Sequence, residues 1–161
     1  MLFIIICLLL IISAIAICFV SGTFGSAVAF LSLCAVGLVP GIHLTPGTYI
    51  FWGVAMVIVV ALNFILPEAV ARSRTGVPYI CVGALAGALL GVAASSQTAI
   101  ILGSVAGAAV GGIAYGMTPR GKMLDFPSSR FINYLCAKGF PVVITACICG
   151  LAAACLLTVY R

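Results

Sequence analysis

Charged side chains are scarce in this sequence. Among its 161 residues there are seven Lys or Arg, two Asp or Glu and one His, so charged residues make up only 6% of the chain. A soluble domain carries about 25% charged residues. With 65% hydrophobic residues and a mean hydropathy of +1.43, the chain has too few polar side chains to cover a water-soluble globule. We therefore predict an integral membrane protein, with a single domain over residues 1–161.

The shortage of carboxylates and imidazoles also argues against catalysis. Both carboxylates, Glu68 and Asp125, fall in polar segments between apolar runs. Proton relays place ionisable groups inside the membrane, and covalent catalysis needs a nucleophile, a base and a group that orients the base. The chain offers neither arrangement, and it has no glycine-rich phosphate-binding motif. We expect no enzyme activity, no catalytic residue and no cofactor.

Nucleic-acid and metal binding are not expected either. The formal net charge is +5, but the basic residues lie between or beside apolar runs, where the positive-inside rule accounts for them. The eight cysteines lie almost entirely in apolar segments, where free cysteine behaves as a small hydrophobe. Cys147 and Cys149 are two residues apart, so on a helix they point about 200° away from each other and do not form a chelating pair.

Apolar runs dominate the rest of the chain. Six of them, separated by turn or polar residues, cover residues 2–20, 27–39, 48–66, 77–94, 99–116 and 140–160. A helix needs about 20 residues to cross a hydrocarbon core of about 30 Å, and all but the second run approach or reach that length. The short run either spans or re-enters. This pattern predicts an all-α, polytopic membrane helical bundle with five or six spans.

The charges and the N-terminal segment predict an orientation. The polar loops at residues 67–76 and 117–129 carry most of the basic residues, and both are expected to be cytoplasmic. The turn at residues 40–47 and the polar patch at residues 95–98 then face outward, and the N-terminus lies outside with six spans or inside with five. The first run lacks a basic n-region and a cleavage site, so a retained helix is favoured over a signal peptide.

Before the last run, "SSRFINYLCAKG" (residues 128–139) has the pattern of an interfacial helix. Phe131, Ile132, Leu135 and Cys136 would form one apolar stripe along it. Gly139 and the proline that follows two residues later would then allow a bend into the membrane.

Three polar residues are candidates for a polar site. Asn63 falls near the cytoplasmic end of its apolar run, where it could line a path or form a hydrogen bond to a neighbouring helix. His43 lies in the external turn, where a solvated or capping role is favoured over a ligand or a pH sensor. Gln97 lies in the polar patch and is expected to satisfy backbone groups that the helix ends expose.

The most informative stretch is "GALAGALLGVAASSQTAIILGSVAGAAVGG", which contains two glycine ladders around a polar tip. The two halves repeat, with glycine at every fourth residue: Gly83, Gly87 and Gly91, then Gly103, Gly107 and Gly111. Glycines at this spacing create a flat groove on one helix face, and small residues allow membrane helices to approach closely. We predict a glycine-zipper helical hairpin, in which the ladders face each other, other helices or other subunits.

Residues 37–116 also resemble a known group of proteins. "GLVPGIHLTPGTYIFWG", "ILPEAVARSRTG" and the hairpin look like a family of small bacterial integral membrane proteins of unknown function, which have a Pro-Gly turn after the N-terminal helix. That family often has aspartate at the position of Asn63 and Gly-Glu at Ala114 and Tyr115. The resemblance implies a multi-pass protein of the bacterial inner (cytoplasmic) membrane and carries no activity with it.

Two functions fit these observations. In the first, the chain is a structural or interaction module that contacts membrane lipid and binds a second copy of itself or other membrane proteins through its glycine-rich helices. In the second, it is a channel or carrier for a small neutral or weakly polar solute, because interrupted helices often hold transporter sites. Asn63, His43 and the patch around Gln97 would then supply polar contacts.

Overall fold

The computed structural model describes residues 2–20, 22–42, 44–65, 76–94, 96–119 and 129–159, and within these ranges the chain is helical with short turns and no strand. The helices are α1 (Leu2–Val20), α2 (Gly22–Gly37), α3 (Pro46–Ile65), α4 (Val77–Ala93), α5 (Gln97–Gly116), α6 (Ser129–Tyr134) and α7 (Phe140–Val159), with a π-helical turn at Leu135–Gly139. The prediction of an all-α fold is confirmed.

Two helical segments are long and apolar enough to cross a membrane. They are Gln97–Gly116 and Ile132–Thr158, of 20 and 27 residues. Four further apolar segments of 10–17 residues are shorter than a full span: Ile4–Val20, Phe24–Gly37, Pro46–Leu62 and Val77–Ala93. These findings are consistent with a membrane protein, and the count of five or six spans stays a prediction.

Helix α7 lies at the centre of the packing and joins two clusters of buried side chains. In the first cluster it packs against α1, α2 and α3, with Leu33, Trp52 and Ile148 among the buried residues. In the second it packs against α4, α5 and α6, where Ile80 and Tyr134 are buried. The last helix is therefore covered by the earlier ones, which accounts for its high buried fraction compared with α5.

Helix α2 begins earlier than the sequence indicates. Residues 21–26 read as an interruption, because Ser, Gly and Thr are poor helix formers, yet α2 starts at Gly22. A Cβ atom placed on Gly25 would lie 2.9 Å from the Cα atom of Cys18 in α1. The glycine thus allows α1 and α2 to meet backbone to backbone immediately after the turn, and this tertiary contact outweighs the low helix propensity.

The segment before α7 also differs from its prediction. Ile132 and Cys136 are exposed and Tyr134 is buried. An apolar stripe that faces lipid would be exposed in this way, so the interfacial stripe stays a prediction, and the side chain of Phe131 lies outside the described residues. The expected bend is replaced by the π-helical turn, which continues into α7 without a break. A π-helical turn rotates the side chains that follow it relative to an α-helix, so the turn changes which residues of α7 face the bundle.

Local residues account for several helix boundaries. Gly41, with φ of 96°, lies in the turn after α2, and Pro46 occupies the first position of α3, where its missing N–H costs nothing. Gly76 precedes α4 with φ of 87°, a left-handed conformation that glycine adopts without strain, and Pro78 lies in the first turn. The sequence therefore encodes these starts and stops directly.

Candidate functional site

The two glycine ladders face each other across the α4–α5 hairpin. A Cβ atom placed on Gly83 would lie 2.9 Å from the carbonyl carbon of Gly107, and one placed on Gly107 would lie 2.7 Å from that of Gly83. Gly87 and Gly103 form a second reciprocal pair. A Cβ atom placed on Gly87 would lie 2.5 Å from the carbonyl carbon of Gly103, and one placed on Gly103 would lie 3.0 Å from that of Gly87. In both pairs the nearest atom is the carbonyl oxygen of the facing glycine. This is the arrangement in which Cα–H groups approach carbonyl oxygens between closely packed helices.

The register between the helices is offset by one turn from the alignment that would pair every glycine. Gly91 faces the backbone of Ala99 and Ile100, and Gly111 faces that of Tyr79 and Ile80. The contact therefore has four close positions, one turn apart: Tyr79–Gly111, Gly83–Gly107, Gly87–Gly103 and Gly91–Ala99. Only residues 94–96 connect the two helices, so the short connection and the glycine contacts together set this offset.

One broad face of the hairpin is buried against the rest of the bundle. Its residues follow the glycines by one position and are small: Ala84, Ala88, Ser104 and Ala108 are almost fully buried. On the facing α7, a Cβ atom placed on Gly150 would lie 3.7 Å from the Cβ atom of Ala88. Small side chains on this face let α7 approach both hairpin helices.

The opposite broad face of the hairpin is exposed. Its residues alternate between large and small at four-residue spacing: Val82, Ala86 and Leu90 on α4, Ala94 directly after it, and Leu102, Ala106, Val110 and Ala114 on α5. All but Ala94 and Ala114 precede a ladder glycine by one position. We call these eight residues the outer ridge. Because the helices are antiparallel, positions that precede the glycines lie on the same side of the hairpin in both. The four-residue spacing was visible in the sequence, but which of the two flanking faces is exposed was not.

Three buried hydroxyl groups, those of Ser32, Ser104 and Thr145, bond to carbonyl groups of their own helices. The Ser32 hydroxyl donates to the Ala29 carbonyl over 2.6 Å, and the Thr145 hydroxyl donates to the Pro141 carbonyl over 2.9 Å. Ser104 makes the same kind of bond within α5. No buried side-chain nitrogen or oxygen lacks a partner in the part of the chain that the structure describes. These hydroxyls therefore add no open polar path through the interior.

Gln97 is the one member of the predicted polar site whose side chain is described. Asn63 belongs to α3, but its side chain, like the whole of His43, lies outside the described residues. Gln97 is exposed and lines two adjoining crevices, of about 280 Å³ and 530 Å³. The smaller lies between α3, α5 and α7, and the larger between α4, α5 and α7; Ile100 and Leu151 line both. The structure thus places Gln97 at a helix start that borders open space.

Two buried cysteines on different helices are in contact. Cys18 of α1 and Cys81 of α4 lie with their Sγ atoms 3.7 Å apart, and both residues are buried. All eight cysteines are free thiols. No group of three or more potential metal ligands occurs among the described residues, so this pair stands as a thiol–thiol contact between two helices.

A row of stacked tyrosines at the other end of the hairpin was not singled out from the sequence. The ring centroids of Tyr79 and Tyr115 are 5.7 Å apart, and those of Tyr115 and Tyr134 are 5.9 Å apart. The row connects α4, α5 and α6, and its spacing falls within the range of favourable aromatic pairs. Tyrosine is also typical of the membrane–water interface, which is the signal that could have identified it.

Comparison with known proteins adds no family or activity to this geometry. No protein-family model matches the chain, and no curated protein or solved structure is significantly similar to it.

Proposed function

We propose that this chain is a multi-pass protein of the bacterial inner membrane and that its helical bundle acts as a structural and interaction module, without enzymatic activity. The chain lies in lipid, and its partner is a second copy of the chain or another membrane protein. The observation that carries the proposal is an interior of buried apolar side chains, in which no described side-chain nitrogen or oxygen lacks a partner, enclosed by helices whose outward faces are apolar.

The exposed surface supports a membrane location. Large apolar side chains are exposed on α1 to α5 and on α7, with Leu9, Val57, Leu90, Leu102 and Leu157 all at least 59% exposed. Monomeric soluble proteins rarely expose continuous apolar patches larger than a few hundred Å². In a lipid bilayer the same apolar faces do not need to be buried against protein. Helices of 16 or 17 residues, such as α2 and α4, have lengths of about 24–26 Å and could cross a thin bilayer or cross with slight local thinning.

The interior supports a module rather than a channel or carrier. Buried side chains in both clusters are almost all apolar, and the buried hydroxyls of Ser32, Ser104 and Thr145 bond within their own helices. A channel for polar solutes needs polar groups or charges that replace the solute's hydration shell. The crevices beside Gln97 provide neutral polar groups at one end of the bundle, and this feature favours a carrier.

The outer ridge supports association with a second copy. The six ladder glycines already contact the facing helix of the same hairpin, so another chain would meet the other faces. Residues spaced four apart form the ridges by which helices interdigitate, and alanines between larger residues allow close approach in a membrane. Ala86 and Ala106 lie near the middle of the two rows, where a partner helix would come closest.

Native mass spectrometry of the full chain in mild detergent tests this proposal. We expect a dimer or a higher oligomer that Ala106→Leu converts largely to monomer, because a larger side chain on the outer ridge keeps the partner helix away. Ala61→Leu is the matched control, since Ala61 is equally exposed on α3. A strictly monomeric protein, or equal oligomer fractions for both variants, would refute association through the outer ridge.

The carrier alternative has its own test. Liposomes containing the purified chain would be assayed for flux of small neutral solutes, with empty liposomes as the control. The module proposal predicts equal rates in both. Solute flux that Gln97→Leu abolishes would establish the carrier instead.

A further inference from the structure

Neutral polar groups gather at the end of the bundle where α3 and α5 begin and α7 ends. Thr45 and Thr48 lie at the start of α3, Ser96 and Gln97 at the start of α5, and Thr158 near the end of α7. All five line one or both of the crevices described above. The mouth of the space is therefore polar, and the polar groups of the described residues there are hydroxyls and one carboxamide.

Away from this mouth, the walls of the crevices are apolar. The smaller crevice has Trp52, Ile100 and Leu151 as buried residues on its floor, and the larger continues between Val92 and Leu157. Among the residues that the structure describes, no charged side chain lines either crevice. Burying a charged headgroup without an opposite charge is strongly unfavourable, so the lining selects for an uncharged molecule with an apolar body. The larger volume, about 530 Å³, falls within the usual range for small-molecule sites.

Gln97 supplies the directional part of the site. Its carboxamide makes no side-chain hydrogen bond within the described part of the chain, whereas the hydroxyls of Thr45 and Thr48 lie 2.9 Å apart and bond to each other. A carboxamide both donates and accepts hydrogen bonds. A hydroxyl complements it in both directions, because a hydroxyl also donates and accepts.

We infer that the two crevices bind an uncharged lipid alcohol. Its hydroxyl bonds to the Gln97 carboxamide at the polar mouth, and its hydrocarbon chain lies along Leu151 and Leu157. Leu157 is exposed on the outside of the bundle, so the chain enters sideways from the lipid. Diacylglycerols and polyprenols both have this chemistry. The site does not depend on the proposed self-association, since every lining residue belongs to one chain.

Native mass spectrometry of the delipidated full chain tests the inference with four probes. A diacylglycerol and a polyprenol are the two expected ligands, squalene is a hydrocarbon without a headgroup, and phosphatidylglycerol is an anionic lipid. We expect one or both alcohols to bind at one molecule per chain, and the alcohol that binds identifies the source. Equal binding of squalene, preferential binding of phosphatidylglycerol, or no binding of either alcohol would overturn the inference.

Two variants localise the binding. Gln97→Leu keeps a similar side-chain size and is expected to weaken binding about 2- to 10-fold, as the loss of one neutral hydrogen bond would. Asn133→Leu is the matched control, because Asn133 is also an exposed carboxamide but lies on α6 and lines neither crevice. Unchanged affinity in Gln97→Leu, or an equal loss in Asn133→Leu, would overturn the assignment. Lipid adducts and subunit number are read from separate mass shifts, so failure here is distinguishable from failure of self-association.

Discussion

Replacing Gly87 by alanine would test the closest approach of two helix backbones at the glycines that the structure describes. The added Cβ atom would lie 2.5 Å from the carbonyl carbon of Gly103, whereas ordinary contacts of a Cβ atom begin at 3.4 Å. The atoms that it meets belong to backbone and cannot rotate away. The two helices would therefore have to separate at this level by more than the difference between those two distances, about 0.9 Å, because the carbonyl oxygen of Gly103 lies nearer still to the added atom.

Favourable and unfavourable effects together determine how much Gly87→Ala changes the free energy of unfolding. Alanine is favoured over glycine in a helix by about 1 kcal/mol. Overpacking against rigid neighbours costs about 1–3 kcal/mol, and separation weakens the reciprocal Cα–H···O contacts, which contribute about 0.5–1 kcal/mol each. The unfavourable effects are larger, so we expect Gly87→Ala to lower the free energy of unfolding by about 2 kcal/mol, and Gly107→Ala to do the same.

Unfolding by sodium dodecyl sulfate in mixed micelles, followed by circular dichroism, measures this difference. Gly47→Ala is the control, because Gly47 is also helical and a Cβ atom placed there meets nothing within 4 Å. Its stability should stay the same or rise by up to about 1 kcal/mol. If Gly87→Ala and Gly107→Ala were as stable as Gly47→Ala, the hairpin would not be held by glycine contacts and the reasoning would be wrong.

Three further outcomes follow from the same packing. A polar maleimide should label Cys136, which is exposed, and leave Cys18 and Cys81 unmodified until the protein is denatured; early labelling of the pair would contradict their burial. A lipid-soluble oxidant should join Cys18 to Cys81, because their sulfurs lie 3.7 Å apart and a disulfide needs about 2.05 Å; peptide mapping that finds other pairings would contradict the packing of α1 on α4. Gly76→Ala should lower stability by about 1–2 kcal/mol, because φ is 87° there and a Cβ atom would lie 2.6 Å from a ring carbon of Tyr115; a neutral result in the same detergent titration would contradict this geometry.

Sequence reasoning located the helices better than their ends. The hairpin helices were predicted at residues 77–94 and 99–116, and the structure has them at Val77–Ala93 and Gln97–Gly116. The early start of α2 was missed because glycine next to Cys18 reads as a break, although its value lies in allowing a close contact. The π-helical turn before α7 was not predicted, because no local residue pattern marks it.

The candidate site was also predictable from the sequence only in part. Gln97 could be identified from its position between two apolar runs, but its neighbours across the crevices come from α3 and α7, more than 40 residues away along the chain. Which residues surround it depends on how three helices end at one level of the bundle. No local pattern in the sequence encodes that arrangement.

The sequence by itself determined the helical class and the presence of two glycine ladders, because hydrophobic composition and four-residue spacing are local properties of the chain. Only the tertiary structure decided that the ladders face each other, that their register is offset by one turn, and that one flanking face is buried while the outer ridge is exposed. The physical reason is that a glycine groove accepts any closely fitting helix. The short connection at residues 94–96 and the position of α7 select which helix that is.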